Sequence, residues 1–132
     1  MAIDFVKLFD RFNSLSILII GDVMIDAYWW GGVNRISPEA PVAVVAVNEK
    51  ENRLGGAANV ALNIAAMGAK PVLCSVVGDD FQGRELCRLM QEQNMDTKGI
   101  VYSSKRPTKV KNRIIGNKAQ VLRIDEETDA NI

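Results

Sequence analysis

Two adjacent glycines and an asparagine three residues further on, Gly55-Gly56-Ala57-Ala58-Asn59, carry the strongest chemical signal in the chain. Glycines at a helix start let the backbone approach a ligand closely, and the free N–H groups there favour an anion or hydroxyls. The Asn59 amide both donates and accepts, which suits a polyol better than a phosphate. The same residues also fit a plain tight turn into a packing helix. A second candidate is Gly21-Asp22-Val23-Met24-Ile25-Asp26, which follows an aliphatic run. In open α/β sheets, ligands sit outside the carboxyl ends of the strands, and this segment occupies such a place. A third is charge: Lys98 to Arg123 holds eight basic residues and no acid, while residues 124–132 hold four acids and no base. Lys111 and Arg113 alternate with Val110 and Asn112 and share one strand face. Such a block attracts an anion; its other reading is a solvated hairpin whose edge lysines deter aggregation.

The elements that must position these residues follow from hydrophobic pattern. Phe5, Leu8, Phe9 and Phe12 have helical spacing. Ser16 to Ile20 reads as a strand buried on both faces, as in parallel sheets. Segments 27–32 and 41–50, aromatic and Val-rich around a Pro-bounded loop, predict a small two-stranded sheet set off from the main one, with Trp29 and Trp30 buried. A helix opens at Gly55-Gly56 with a small-residue face (Ala58, Ala61, Leu62, Ala65, Ala66) and ends at Gly68. Pro71 to Val77 is the next buried strand. Asp79 or Asp80 caps a helix with Phe81, Leu86, Leu89 and Met90 as its inner face. Thr108 to Ile115 and Ala119 to Ile124 form a hairpin, and Asp125 to Ile132 reads as a loop or a helix start. The order predicts an α/β fold, the N-terminal portion of a doubly wound sheet with a small β insert.

The whole chain bounds the chemistry further. It has 132 residues, 48% hydrophobic and 24% charged, with sixteen basic side chains balancing sixteen acidic ones. Net charge gives no reason to expect nucleic acid or a membrane surface as partner, and residues 98–124 offer only Tyr102 for base stacking. There is no histidine, which excludes Ser-His-Asp and Cys-His triads and a His-ligated metal. Cys74 and Cys87 sit in apolar runs and read as buried thiols. Neither GxxxxGK[ST] nor GxGxxG occurs. No apolar run spans a bilayer, and the expected location is cytoplasmic.

The spacing Gly-Gly-x-x-Asn-x-Ala, six residues, Gly, nine residues, Gly runs from Gly55 through Asn59, Ala61 and Gly68 to Gly78. It resembles the N-terminal signature of the ribokinase-like (PfkB) carbohydrate kinases. Gly21 to Asp26, Arg35-Ile36-Ser37-Pro38-Glu39-Ala40-Pro41 and Thr108 to Arg113 extend the resemblance to the heptose 7-phosphate branch of that family. The resemblance implies a ribokinase-like fold of which residues 1–132 are the N-terminal part, the ATP-binding and catalytic part lying downstream.

It also implies roles. Asp26, Gly55, Gly56 and Asn59 match the positions that hold sugar hydroxyls. The strands 27–32 and 41–50 match the lid, which in many relatives also makes a homodimer contact. The implied acceptor, D-glycero-D-manno-heptose 7-phosphate, carries a distal phosphate, for which Lys111 and Arg113 are the candidates and Arg35 on the lid loop a third. Lys105, Arg106 and Lys118 are expected to be solvated loop charges. The implied reaction is transfer of the ATP γ-phosphoryl to O1 with Mg²⁺, in ADP-heptose synthesis. No catalytic, nucleotide-binding or metal residue is expected within these 132. Other readings are a kinase for a different sugar or nucleoside, or a non-catalytic anion-binding or dimerisation module.

Overall fold

The computed structural model describes residues 4–128. Helix α1 (Phe5–Phe12) is capped by Asp4, which accepts from the Lys7 amide. It leads into β1 (Ser16–Ile20), β2 (Val23–Ile36), β3 (Ala43–Gly56), α2 (Ala57–Ala66), β4 (Lys70–Gly78), α3 (Phe81–Glu92), β5 (Ile100–Ser103), β6 (Val110–Gly116) and β7 (Ala119–Glu126). The strands form two sheets. One is parallel, in the order β1-β4-β5; the other is mixed, in the order β3-β2-β6-β7, with β2 and β6 parallel.

The core forms where the two sheets meet the helices. Ile25, Ala58, Ala61, Leu86 and Met90 have no exposed surface, and Val77 and Val110 have almost none. Ala58 and Ala61 lie three residues apart on α2, so a smooth face lets the helix sit close on β4 and β1. Gly68 ends that helix at φ +94°, a conformation natural to a residue without a side chain. Asp80 caps α3 by accepting from the Gly83 amide at 2.7 Å. The β6–β7 turn places Asn117 and Lys118 both at positive φ, as a two-residue hairpin requires, and the Asn117 amide side chain bonds the Val33 backbone.

Several expectations need correction. Strand β1 is buried on one face only: Leu18 is 59% exposed and Ile20 is 77% exposed, because α2 packs on the other side of the sheet. The β insert is not a two-stranded ribbon. Both β2 and β3 run for 14 residues, and β6 and β7 join them in one four-stranded sheet. Asp26 therefore lies within a strand. Trp29 and Trp30 are half-buried. Phe81, at the first position of α3, is 70% exposed, the inner face being Gly83, Leu86, Cys87 and Met90. Cys74 is half-buried and Cys87 is buried. The segment after Ile124 continues β7 to Glu126, and residues 129–132 lie outside the described residues.

Candidate functional site

Alternation along β2 sorts its side chains. Val23, Ile25 and Ala27 enter the core, so Met24, Asp26, Tyr28 and Trp30 take the opposite face. Across the sheet Asp26 stands opposite Arg53 of β3 and Lys111 of β6, and Tyr28 stands opposite Arg113. The register thus gathers on one face residues that are 87 positions apart.

Arg113 Nη2 donates to Asp26 Oδ1 at 2.9 Å, with both side chains about three-quarters covered (24% and 21% exposed). The carboxylate holds the guanidinium even more firmly protonated than usual. Arg113 Nε is buried with no partner, so the ion pair does not exhaust its donors. Behind the pair, Tyr28 and Trp30 stack at 5.3 Å, and the Arg53 guanidinium lies 4.8 Å from the Tyr28 ring while bonding Glu51.

The two glycines make room for this arrangement. A Cβ on Gly55 would stand 2.5 Å from Asp26 Oδ2 and 2.8 Å from Met24 Cγ, so the carboxylate rests against a bare backbone. Gly56 sits at φ +58°, where a side chain is strained, and a Cβ there would also strike the Asp22 carbonyl. The next amide, of Ala57, donates to that carbonyl at 2.8 Å, which ties the start of α2 to the end of β1. Asn59 is exposed on α2 and faces a groove of about 280 Å³ shared with Glu51, Arg53 and Leu54.

The structure brings Asp26, Gly55 and Arg113 together. Lys111 lies on the same face, but its ammonium is engaged by Asp125 at 3.1 Å and Glu127 at 3.4 Å. The hydrogen bond to Asp125 raises the Lys111 pKa and lowers that of Asp125. Lys109, Lys111, Arg113 and Arg123 of the basic block are therefore paired across strands or along them, by acids that the charge count of the block hid. Arg35 is exposed near the far end of β2, opposite Val44. Its nine-residue separation from Asp26 along a strand is roughly 30 Å, so within one chain it does not join the site. Arg106, expected to be solvated, has Nε and Nη1 buried without partners.

Two features escaped the sequence reading. Arg53 is one; its signal is its place two residues before Gly55, on the same strand face as Glu51. The other is a latch at the entry to β6. Thr108 N and Oγ1 donate to the Asp80 carboxylate, both at 2.8 Å, and the same hydroxyl accepts from Gly78 N at 2.9 Å. A larger groove of about 600 Å³ lies on the α3 side of the sheet, walled by Trp29, Phe81, Glu85 and Arg88; none of the expected sugar-binding residues lines it. Among the described residues no three His, Cys, Asp or Glu side chains converge to hold a metal ion. No described helix is long and apolar enough to cross a membrane.

Comparison with known proteins places this geometry in context. Residues 14–132 match the family described as pfkB family carbohydrate kinase. The chain is 48% identical over 118 residues to the D-beta-D-heptose 7-phosphate kinase of Bordetella bronchiseptica, covering 89% of this chain and 37% of that protein. It is 49% identical over 117 residues to the bifunctional protein HldE of Wolinella succinogenes, covering 89% and 25%. The chain thus spans about a quarter to two-fifths of these relatives. Its fold superposes on the nucleoside kinase of Methanocaldococcus jannaschii, an archaeal member of the ribokinase family, with a TM-score of 0.62 at 20% identity, covering 84% of this chain and 36% of that one. For an uncharacterized sugar kinase from Pyrococcus horikoshii in complex with ATP the TM-score is 0.57 at 28% identity, covering 87% and 34%.

Proposed function

This chain belongs to the pfkB family of carbohydrate kinases, and from that premise we propose that it forms the sugar-recognition part of a kinase for D-glycero-D-manno-heptose 7-phosphate. The whole protein would transfer the ATP γ-phosphoryl to O1, a step toward ADP-heptose. The observation that carries this reading is the Asp26–Arg113 pair against the bare face of Gly55. A carboxylate accepts two hydroxyl hydrogen bonds, and the free donors of Arg113 suit an oxygen-rich partner. The name of the relative at 48% identity, a D-beta-D-heptose 7-phosphate kinase, supports the heptose phosphate as acceptor.

Within this proposal each residue has a limited task. Asp26 orients hydroxyls. Gly55 and Gly56 let the sugar approach the start of α2, where Asn59 adds a donor and an acceptor. Arg113 and Lys111 supply positive charge toward the distal phosphate, Lys111 after release from Asp125 and Glu127. ATP supplies the transferred group.

The lid sheet carries a second element of the proposal, a homodimer. Strand β3 is an edge of its sheet, and its first half, Ala43 to Val47, is uncharged with Val47 40% exposed. Such an edge invites pairing with another strand. In a dimer Arg35 near the hairpin tip would meet the other copy rather than its own Asp26.

Isothermal titration of heptose 7-phosphate into the purified chain tests the central claim. Saturable binding that Asp26→Asn weakens by about tenfold or more supports it. Equal affinity in the two proteins would return Asp26 to a purely structural role.

A further inference from the structure

Arg106 is a cation that no acid among the described residues answers. Its Nε and Nη1 are shut off from solvent and meet no acceptor. Lys105 beside it also has no carboxylate partner among the described residues. Apart from the exposed turn residue Lys118, the other cations of the run are paired: Lys98 with Asp96, Lys109 with Asp22, Lys111 with Asp125, Arg113 with Asp26 and Arg123 with Asp125. Burying guanidinium donors without an acceptor is costly, and the cost disappears once an oxyanion accepts from them.

Arg106 and Lys105 line a pocket of about 320 Å³ together with Ser103, Ser104, Asp79 and Asp80. The two acids are already engaged. Asp79 pairs with Arg84 at 3.2 Å, and Asp80 accepts from Thr108 and Gly83. Ser103 Oγ accepts from the Lys105 amide at 3.2 Å, which leaves its O–H free to donate. The pocket lies just past the carboxyl ends of β4 and β5, the side of a parallel sheet where ligands gather.

We propose that this pocket binds a phosphate group. A tetrahedral oxyanion presents several acceptors at once, which a guanidinium fork, an ammonium and two hydroxyls can share. A carboxylate would leave some of these donors idle. The phosphate is either borne by the sugar or free in solution; the chemistry is the same. The site does not depend on the sugar reading, because none of its residues belongs to the Asp26 face.

The test follows the Arg106 Nε–H resonance of the ¹⁵N-labelled chain. Inorganic phosphate should shift it saturably, whereas sodium chloride at matched ionic strength should not. Arg106→Gln and Lys105→Gln should each weaken phosphate binding about tenfold or more, read as loss of the phosphate-dependent rise in Tm. Should Arg106→Gln fail to fold, the exposed Lys105→Gln still decides. Equal shifts with phosphate and chloride, or wild-type phosphate affinity in the folded variants, overturn the proposal. A separate arm uses heptose 7-phosphate. Heptose 7-phosphate that shifts the Arg106 resonance at lower concentration than inorganic phosphate, an advantage lost in Asp26→Asn, assigns this pocket's phosphate to the sugar in place of Lys111 and Arg113. Equal binding of the two assigns it to free phosphate and counts against the sugar reading alone.

Discussion

Asp26 and Arg113 meet at 2.9 Å although 87 residues separate them, and the meeting depends on one parallel pairing, β2 with β6. The pair is a ready-made acceptor and donor set on the open face of the four-stranded sheet. As a partly exposed ion pair it adds little to stability. Its value lies in holding a carboxylate and a planar cation in fixed relation.

Asp26→Ala should weaken sugar binding by ~1.5–3 kcal/mol, the range for hydrogen bonds to a charged group, with the fold intact. Calorimetry on the folded variant measures this directly. In the same assay Arg113→Ala should cost more affinity for the 7-phosphorylated heptose than for an unphosphorylated analogue. Arg113→Lys should recover only part, since charge returns but the fork does not. Equal losses for both sugars would remove Arg113 from phosphate recognition.

Gly55→Ala should be more harmful than an ordinary glycine replacement. The added methyl meets Asp26 Oδ2 at 2.5 Å and Met24 Cγ at 2.8 Å, so the carboxylate must move. Overpacking of this kind costs about 1–3 kcal/mol. Urea denaturation should record that loss, and sugar affinity should fall with it. A variant of unchanged stability and affinity would mean that the carboxylate has room to spare.

The Asp80 latch predicts a pH dependence. Burial pushes the Asp80 carboxyl up, but hydrogen bonds from the Thr108 amide, the Gly83 amide and the Thr108 hydroxyl outweigh it and hold the pKa below its ordinary value of about 4. The unfolded chain therefore takes up this proton first as pH falls. The contribution is present above about pH 4 and is lost as pH drops through the lower, folded value. Asp80→Asn should show a shallower acid limb of stability than the wild type; parallel limbs would contradict the assignment. Thr108→Val, which strands the Gly78 amide, should cost about 1–3 kcal/mol at neutral pH.

A charge on the β3 edge tests the proposed assembly. Val45→Lys places an ammonium on β3 opposite Val33, within the apolar half of the edge. If two copies join there, sedimentation should show the wild type as a dimer and the variant as a monomer. A wild-type monomer at micromolar concentration would remove the lid edge as an interface.

Much of this was legible from short-range pattern. The Gly55-Gly56 helix start, the Gly68 stop and the Asp80 cap depend on neighbours within a few residues, and the structure places each as expected; of the small-residue face of α2, Ala58 and Ala61 are buried while Ala65 and Ala66 are exposed. Lys111 and Arg113 do share a face, as strand alternation requires. What the sequence hid depends on long-range pairing. Nothing near Lys111 announces that Asp125 will lie across from it, and nothing near Asp26 announces Arg113. The length of β2 and β3 was hidden for a similar reason: Gly31, Gly32 and the charged run Glu49 to Arg53 look like strand ends until β6 and a bulge accommodate them. The outward row Leu18 and Ile20 reads as core because apolar composition does not reveal which face a helix covers.

The parallel pairing of β2 with β6 also sets a schedule. Asp26 emerges from the ribosome 87 residues before Arg113, a delay of roughly 4–17 s at about 5–20 residues per second. Through that interval β2 has β3 on one side and nothing on the other. Contacts of such long sequence separation form slowly, since loop closure precedes any gain from them. The Asp26–Arg113 face is thus among the last features to be completed as the chain is made, and a nascent chain that ends before Arg113 already holds the glycine turn but not that cation.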